Sequence, residues 1–187
     1  GIPLNQTSIV YHQSSIVQSL QLLTAKPVIY LFNVDEEALQ GQSLQSDLRE
    51  LVAPAKCLFV CAKLEDELKN LDEADRVELL ESYGQTESGL VQLIHSAYET
   101  LGLQSYLTAG EDEVRAWTIH KDATAPQAAG VIHGDFEKGF IAAQVVDFDD
   151  LMTAGSEAAA KSAGKMRTEG KTYVMRPGDI VEFRFNV

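Results

Sequence analysis

Two short apolar runs constrain this chain most: "VIYLF" at residues 28–32 and "CLFVCA" at residues 57–62. Each is the length of a strand. The first is unbroken by polar residues, which is the pattern of a strand buried on both faces of a parallel sheet. Lys26-Pro27 stops whatever precedes it, because a residue before proline is pushed out of the helical region. Between the runs, residues 35–53 are polar but carry Leu39, Leu44, Leu48, Leu51 and Val52, the spacing of an amphipathic helix. Strand, helix and strand within about 35 residues make a βαβ unit, so the two strands should pair in parallel.

The rest of the chain falls into two parts. Residues 8–25 (Ile9, Val10, Ile16, Val17, Leu20, Leu22, Leu23) suggest a helix rich in Ser and Gln. Residues 64–82 predict an acidic helix with Gly84 at its end, and residues 87–101 another. "GLQSYLTAG" then breaks the helical pattern. From 111 the character changes. "EVRAWTI" alternates like a half-buried strand. Thr124 and Pro126 mark a helix start as N-cap and first-turn proline. "FIAAQVV" reads as a strand, residues 156–168 as a helix, "KTYVM" as a strand, "RPGD" as a turn and "IVEFRFNV" as the last strand. The expected fold is therefore α/β followed by a small α+β sheet crossed by one main helix, a β-grasp.

Composition narrows the function classes. The 187 residues are 45% apolar and 23% charged, ordinary for a globular chain. No apolar run approaches a membrane span, and no signal peptide is expected. Gly1 stands where an initiator Met would, so an artificial or processed start is expected. Cys57 and Cys61 lie too far apart along a strand to bridge. Free thiols, a reducing compartment and a cytoplasmic setting are expected. The net charge of −13 argues against a general nucleic-acid coat. Residues 161–176 are the exception, with five basic residues against Glu169 alone.

The phosphate-binding Gly-x-x-x-x-Gly-Lys-Ser/Thr is absent. The nearest stretch, "AAAKSAGKM", has Ala159 and Met166 at the first and last defining positions. No Asp-x-x-Gly, zinc-ligand spacing or Ser elbow occurs. "NVDE", at the end of the first strand, is placed where α/β sheets hold ligands. An Asn carboxamide both donates and accepts, so it can pair with a purine edge. Guanine readers use Asn-Lys-x-Asp there. Here Val34 replaces the Lys, and Glu36 replaces the Asp with a side chain one methylene longer. "CAK" at 61–63 ends the next strand, the order expected of a second base-side loop.

"RAWTI", "APQAAG", "IHGDFEKGFI", "AGKMRTEGKTY" and "GDIVEFRFN" together resemble the C-terminal TGS domain of the Obg-like ATPase (YchF) family of P-loop NTPases. "LTAKPVIYLFN" and "YLTAGEDEVRAWTI" resemble the segments before it. The likeness covers nearly all of residues 20–187. It implies a helical segment (1–26) ending an inserted hairpin and the C-terminal part of a nucleotide-binding α/β domain (27–102). After these comes a ubiquitin-like β-grasp TGS domain (103–187). It also implies ATP preferred over GTP through Asn-x-x-Glu. Asn33 would meet the purine edge, the backbone near Val34 the adenine, and Glu36 would close the motif. Ala62 or Lys63 would lie beside the ring.

The resemblance further implies a ribosome or ribosomal-RNA partner reached through the TGS domain, and roles in translation and stress responses. Lys161, Lys165, Arg167, Lys171 and Arg176 would contact RNA phosphates, or form only a solvated face. The family's phosphate loop, switches, catalytic histidine and Mg²⁺ ligands match nothing here. No catalytic or metal residue is expected, and hydrolysis by this chain alone is not expected. None of His12, His95, His120 and His133 matches the catalytic one, and His133 is expected to cap or pack. Trp117 and Phe136 are expected in a core rather than stacked on bases. The alternative is a non-catalytic TGS module docking to ribosome, RNA or protein. A half-sheet would also expose an apolar edge that awaits the missing N-terminal half.

Overall fold

The computed structural model describes residues 19–110 and 113–186. The chain divides into two compact units, residues 1–101 and 102–187.

In the first unit, β1 (Ile29–Asn33) and β2 (Lys56–Val60) pair in parallel, Ile29 opposite Lys56 and Asn33 opposite Val60. The βαβ expectation holds, with one change. The intervening helix is two: α1 (Glu36–Gln40) and α2 (Gln42–Val52), parted at Gly41, whose ψ of 106° is extended. The acidic segment likewise splits into α3 (Ala62–Leu68) and α4 (Glu73–Ser82). Asp72 explains the break, because its carboxylate accepts from the Asp75 N–H at 3.0 Å and starts a new helix. Gly84 ends α4 at φ +68°. The Gly84 N–H bonds Glu81 and the Gln85 N–H bonds Leu80, a Schellman arrangement. α5 (Gly89–Leu101) follows. Of the helix expected at 8–25, residues 8–18 lie outside the described residues. In the remainder Ser19 is helical, and a separate 3₁₀ turn follows at Leu23–Ala25.

One face of β1–β2 is well covered. Phe32 and Phe59 stack at 5.4 Å, and Phe59, Cys61, Leu64, Leu68, Leu39 and Leu80 form the core. Gly89 lets α5 approach β2 on the other face. A Cβ there would stand 2.7 Å from a Val60 methyl. β1 is not the buried strand its composition suggests: Tyr30 is 38% and Leu31 48% exposed. Among the described residues β1 pairs on one side only, so nothing covers what its apolar composition was suited to bury.

The second unit is a five-stranded sheet in the order β4-β3-β7-β5-β6. Its strands are β3 (Leu103–Ala109), β4 (Val114–His120), β5 (Phe140–Asp147), β6 (Arg167–Glu169) and β7 (Asp179–Phe185). β3 runs antiparallel to β4 and parallel to β7, and β5 runs antiparallel to β6 and β7. α6 (Ala125–Ile132) and α7 (Gly134–Lys138) pack on one face. Two short helices, α8 (Phe148–Ala154) and α9 (Glu157–Ser162), meet the opposite face at Val146 and Ile180. Both units are mixed α/β, and neither sheet closes into a barrel among the described residues.

The break in helical pattern at "GLQSYLTAG" is the strand β3, and two expectations change here. The helix expected at 156–168 stops at Ser162; Gly164, at φ +70°, turns the chain, and Arg167–Glu169 is a strand. "KTYVM" makes only an isolated bridge, Val174 to Thr124.

Tyr106 explains why β3 is a strand. It is fully buried, its hydroxyl donates to the Ala128 carbonyl at 2.9 Å, and its ring meets Phe183 edge-on at 5.8 Å. Replacing it by Phe leaves the Ala128 carbonyl without this donor. Tyr106→Phe is expected to lower the stability of the unit by about 1–2 kcal/mol, read as a lower denaturation midpoint with an unchanged m-value.

Candidate nucleotide-base site and basic segment

The two strand-end loops of the first unit are tied together by their own polar groups. The Val34 N–H donates to the Val60 carbonyl at 2.9 Å, extending the ladder one residue past Asn33. The Asn33 Oδ1 accepts from the Ala62 N–H at 3.1 Å. Asp35 caps α1, its carboxylate accepting from the Ala38 N–H at 2.8 Å. That cap turns Glu36 toward the second loop, where Lys63 Nζ lies 2.8 Å from Glu36 Oε1 and 4.0 Å from Glu67. The hydrogen bond to Glu36, then the charges of Glu36 and Glu67, hold the Lys63 ammonium above its ordinary pKa of 10.5.

All five residues singled out in the sequence (Asn33, Val34, Glu36, Ala62 and Lys63) thus lie at adjoining strand ends. The chemistry left over is specific. Asn33 spends its acceptor on Ala62, so its two N–H groups remain to donate. Glu36 supplies an acceptor, and Lys63 supplies a donor beside it. A cleft of about 700 Å³ lies nearby, lined by Leu31, Val60, Glu65, Arg76 and Leu90, and it reaches this group only at Ala62. Glu65 was not apparent as a functional side chain in the sequence. Its carboxylate accepts from the Gly89 N–H at 2.6 Å and so anchors the start of α5.

The basic segment of the second unit is less uniform than its composition suggests. Lys161, Lys165, Lys171 and Arg176 are exposed, with Lys165 3.0 Å from Asp150. Arg167 turns inward. Its guanidinium lies 3.3 Å from the Tyr173 hydroxyl, 3.4 Å from Glu169 and 3.6 Å from Asp179, a carboxylate only 1% exposed. Asp179 also accepts from the Tyr173 hydroxyl and the Arg176 N–H, both at 2.8 Å. Four cations therefore face solvent, while the fifth serves a buried polar network. His133 caps α7, with Nδ1 accepting from the Asp135 N–H at 3.2 Å. Trp117 and Phe136 pack against the core.

A family model described as "YchF-GTPase_C: Protein of unknown function (DUF933)" matches residues 103–186. The "Ribosome-binding ATPase YchF" of Bacillus subtilis (strain 168) is 46% identical over 99% of this chain and 52% of its own length. That of Escherichia coli O157:H7 is 45% identical over 94% and 49%. The structure of the Schizosaccharomyces pombe YchF GTPase superposes with a TM-score of 0.81 at 38% identity, covering 97% of this chain and 50% of that one. The chain corresponds to the C-terminal part of the YchF, or Obg-like ATPase, family. It spans about half the length of the curated relatives it matches. Among the described residues no helix is long and apolar enough to cross a membrane.

The Tyr173–Asp179 contact carries a pH signature in this YchF-like segment. Burial first, then the hydrogen bond to Asp179, pushes the Tyr173 phenol from 10.0 up to about 12. Folding thus favours the neutral phenol. Its stabilisation is whole below pH 10 and is lost as pH rises toward 12. Thermal melts across pH 9–12 should show a falling midpoint, and Tyr173→Phe should flatten that fall relative to the unsubstituted chain.

Proposed function

We propose that this chain carries the base-recognition loops and the docking domain of an ATP-hydrolysing, ribosome-associated protein of the cytoplasm. On this reading, residues 27–102 are the C-terminal part of the nucleotide-binding domain and residues 103–187 are a β-grasp of the TGS kind. The observation that carries the reading is the Asn33–Ala62 bond, which joins two loops at the carboxyl ends of parallel strands and leaves the Asn33 N–H groups to donate. Both purines present N7 as an acceptor, so Asn33 alone would not distinguish them. Adenine also presents an amino donor where guanine presents a carbonyl acceptor. The Glu36 carboxylate suits the first and repels the second, and Lys63 tempers that repulsion.

ATP hydrolysis needs a cradle for the phosphates and a Mg²⁺ ion to neutralise them. No phosphate loop occurs in the 187 residues, and among the described residues no group of three or more His, Cys, Asp or Glu side chains fits a metal ion. No hydrolytic step is therefore assigned to this chain, and Mg²⁺ belongs to the longer family protein. Leu31, Leu90 and Ile94, each about half exposed, suit an apolar face that the remainder of a longer family protein would cover. The pure chain should show no ATP turnover and feeble adenine-nucleotide binding by calorimetry, weaker still in Asn33→Ala. Turnover that Asn33→Ala abolishes, or binding that prefers guanine nucleotide, would overturn this reading.

The exposed cations Lys161, Lys165, Lys171 and Arg176 favour a second, compatible role: docking to the ribosome or its RNA without catalysis. Lys and Arg position a protein on phosphates without reading sequence. Arg167 supports this role only through the fold. Neutralising the four exposed cations should cut ribosome co-sedimentation and flatten its salt dependence by roughly 0.7–0.9 logarithmic units for each phosphate no longer neutralised. Unchanged binding with an unchanged salt slope would remove this surface from the account.

A further inference from the structure

From the start of α3 to the end of α4, residues 62–82 carry eight carboxylates against three cations. All three cations are committed. Lys63 lies 2.8 Å from Glu36 and reaches Glu67 only at 4.0 Å. Lys69 pairs with Asp66 at 3.0 Å. Arg76 pairs with Glu73 at 3.0 Å and donates to the Leu68 and Leu71 carbonyls. Lys69 and Arg76 both line the cleft beside Val60 and Leu90.

The same pair of helices forms a second cleft, a groove of about 620 Å³, and none of the three cations lines it. α4 supplies one wall. Asp75, Glu78, Leu79 and Ser82 recur at i, i+3, i+4 and i+7, which is a single helical face. The end of α3 and the turn after it supply the other wall, through Glu67, Asn70 and Leu71. Leu71 and Leu79 are half-buried against the core of the unit and make an apolar strip. Glu67, Asp75 and Glu78 stand exposed around that strip. The lining thus holds three carboxylates and no cation. Among the described residues, Asp75 and Glu78 have no ion pair. No group of three or more His, Cys, Asp or Glu side chains among those residues could hold a metal ion. The carboxylates are therefore spread too widely for one ion, and they suit cations spaced along a chain.

We propose that this groove docks a basic amphipathic segment of a partner protein. An apolar side chain of the segment rests on Leu71 and Leu79. Its Lys or Arg residues meet Asp75 and Glu78 on one flank and Glu67 on the other. Charge complementarity selects this occupant, because a cleft lined by one sign of charge focuses its field on the opposite sign. The same carboxylates repel the phosphates of a nucleic acid and the side chains of an acidic peptide. The groove touches the base loops only through the long Glu67–Lys63 contact. Glu67 is therefore left intact in the test, which keeps the outcome independent of the nucleotide reading.

The test is a fluorescence-anisotropy titration of the full chain with a short labelled Leu–Arg peptide whose leucines recur at helical spacing, with amide chemical shifts recorded in parallel. Saturable binding that weakens with added salt is expected. The shifts should gather on residues 67–82, and the Leu–Glu counterpart should not bind. Asp75→Asn combined with Glu78→Gln should weaken binding about three- to tenfold. Ser82→Arg keeps every carboxylate but puts a cation into the groove, and it should weaken binding by roughly two- to fivefold. Glu50→Gln combined with Glu182→Gln removes the same charge elsewhere and should leave binding unchanged. The proposal is overturned by an absence of saturable binding, by shifts centred outside residues 67–82, or by groove variants that weaken binding no more than the Glu50 and Glu182 pair. It is also overturned if spermine displaces the peptide with equal affinity, which would give the groove to a small polycation.

Discussion

A parallel pair of strands buries only what neighbours place against it, and that constraint governs the first unit. β1 and β2 have no hairpin to join them, so their pairing depends on helices laid over the sheet. α1 to α4 supply one face, through the Phe32–Phe59 stack and the leucines around it. α5 supplies the other, held close by Gly89 and by the carboxylate of Glu65. Beyond β1 the covering stops among the described residues, and Leu31 stands half in solvent. The same constraint positions the two strand-end loops of the candidate site, because both strands end at the same level and their loops are close enough to bond.

The second unit solves the opposite problem. Its sheet is antiparallel except between β3 and β7, and only one face needs a helix along its length. Tyr106 ties the inner strand β3 to α6 through the Ala128 carbonyl. Gln104 does the same for the loop before β7, its amide donating to the Met175 carbonyl at 2.8 Å. Asp179 then fixes the turn into β7 by accepting from Tyr173 and from the Arg176 backbone. A buried carboxylate is costly unless it is hydrogen-bonded and paired with a counter-charge, and Arg167, 3.6 Å away, supplies that charge. Packing and polar satisfaction select the same geometry here, and charge at 161–176 is distributed accordingly.

Much of this was legible in the sequence because it is local. The βαβ unit announces itself by two apolar runs, the α6 start by Thr124 and Pro126, the α4 end by Gly84. What was left unread, or failed, depended on partners far along the chain. "LQSYLTA" alternates only once Tyr106 and Gln104 are known to face a core built from residues 119–183. The Ala- and Lys-rich stretch after 156 has helical propensity to Arg167 and beyond. Gly164 and the pairing of Arg167 with Val145 override it. Propensity is a weak prior when tertiary pairing competes.

The candidate site divides along the same line. Asn33, Glu36, Ala62 and Lys63 were legible because strand ends are set by short-range pattern and their loops follow within a few residues. The bonds among them were not, since 29 residues separate Asn33 from the amide it holds. Charge pattern also gives no direction. Arg167 and Lys171 look equivalent as letters in a basic segment, but one reaches a carboxylate that is 1% exposed and the other stands in solvent. A basic stripe read from sequence therefore overstates its working surface wherever a buried acid lies within reach. The correction comes from asking where each buried charge finds its counter-charge, because that requirement commits a cation before any ligand can compete for it.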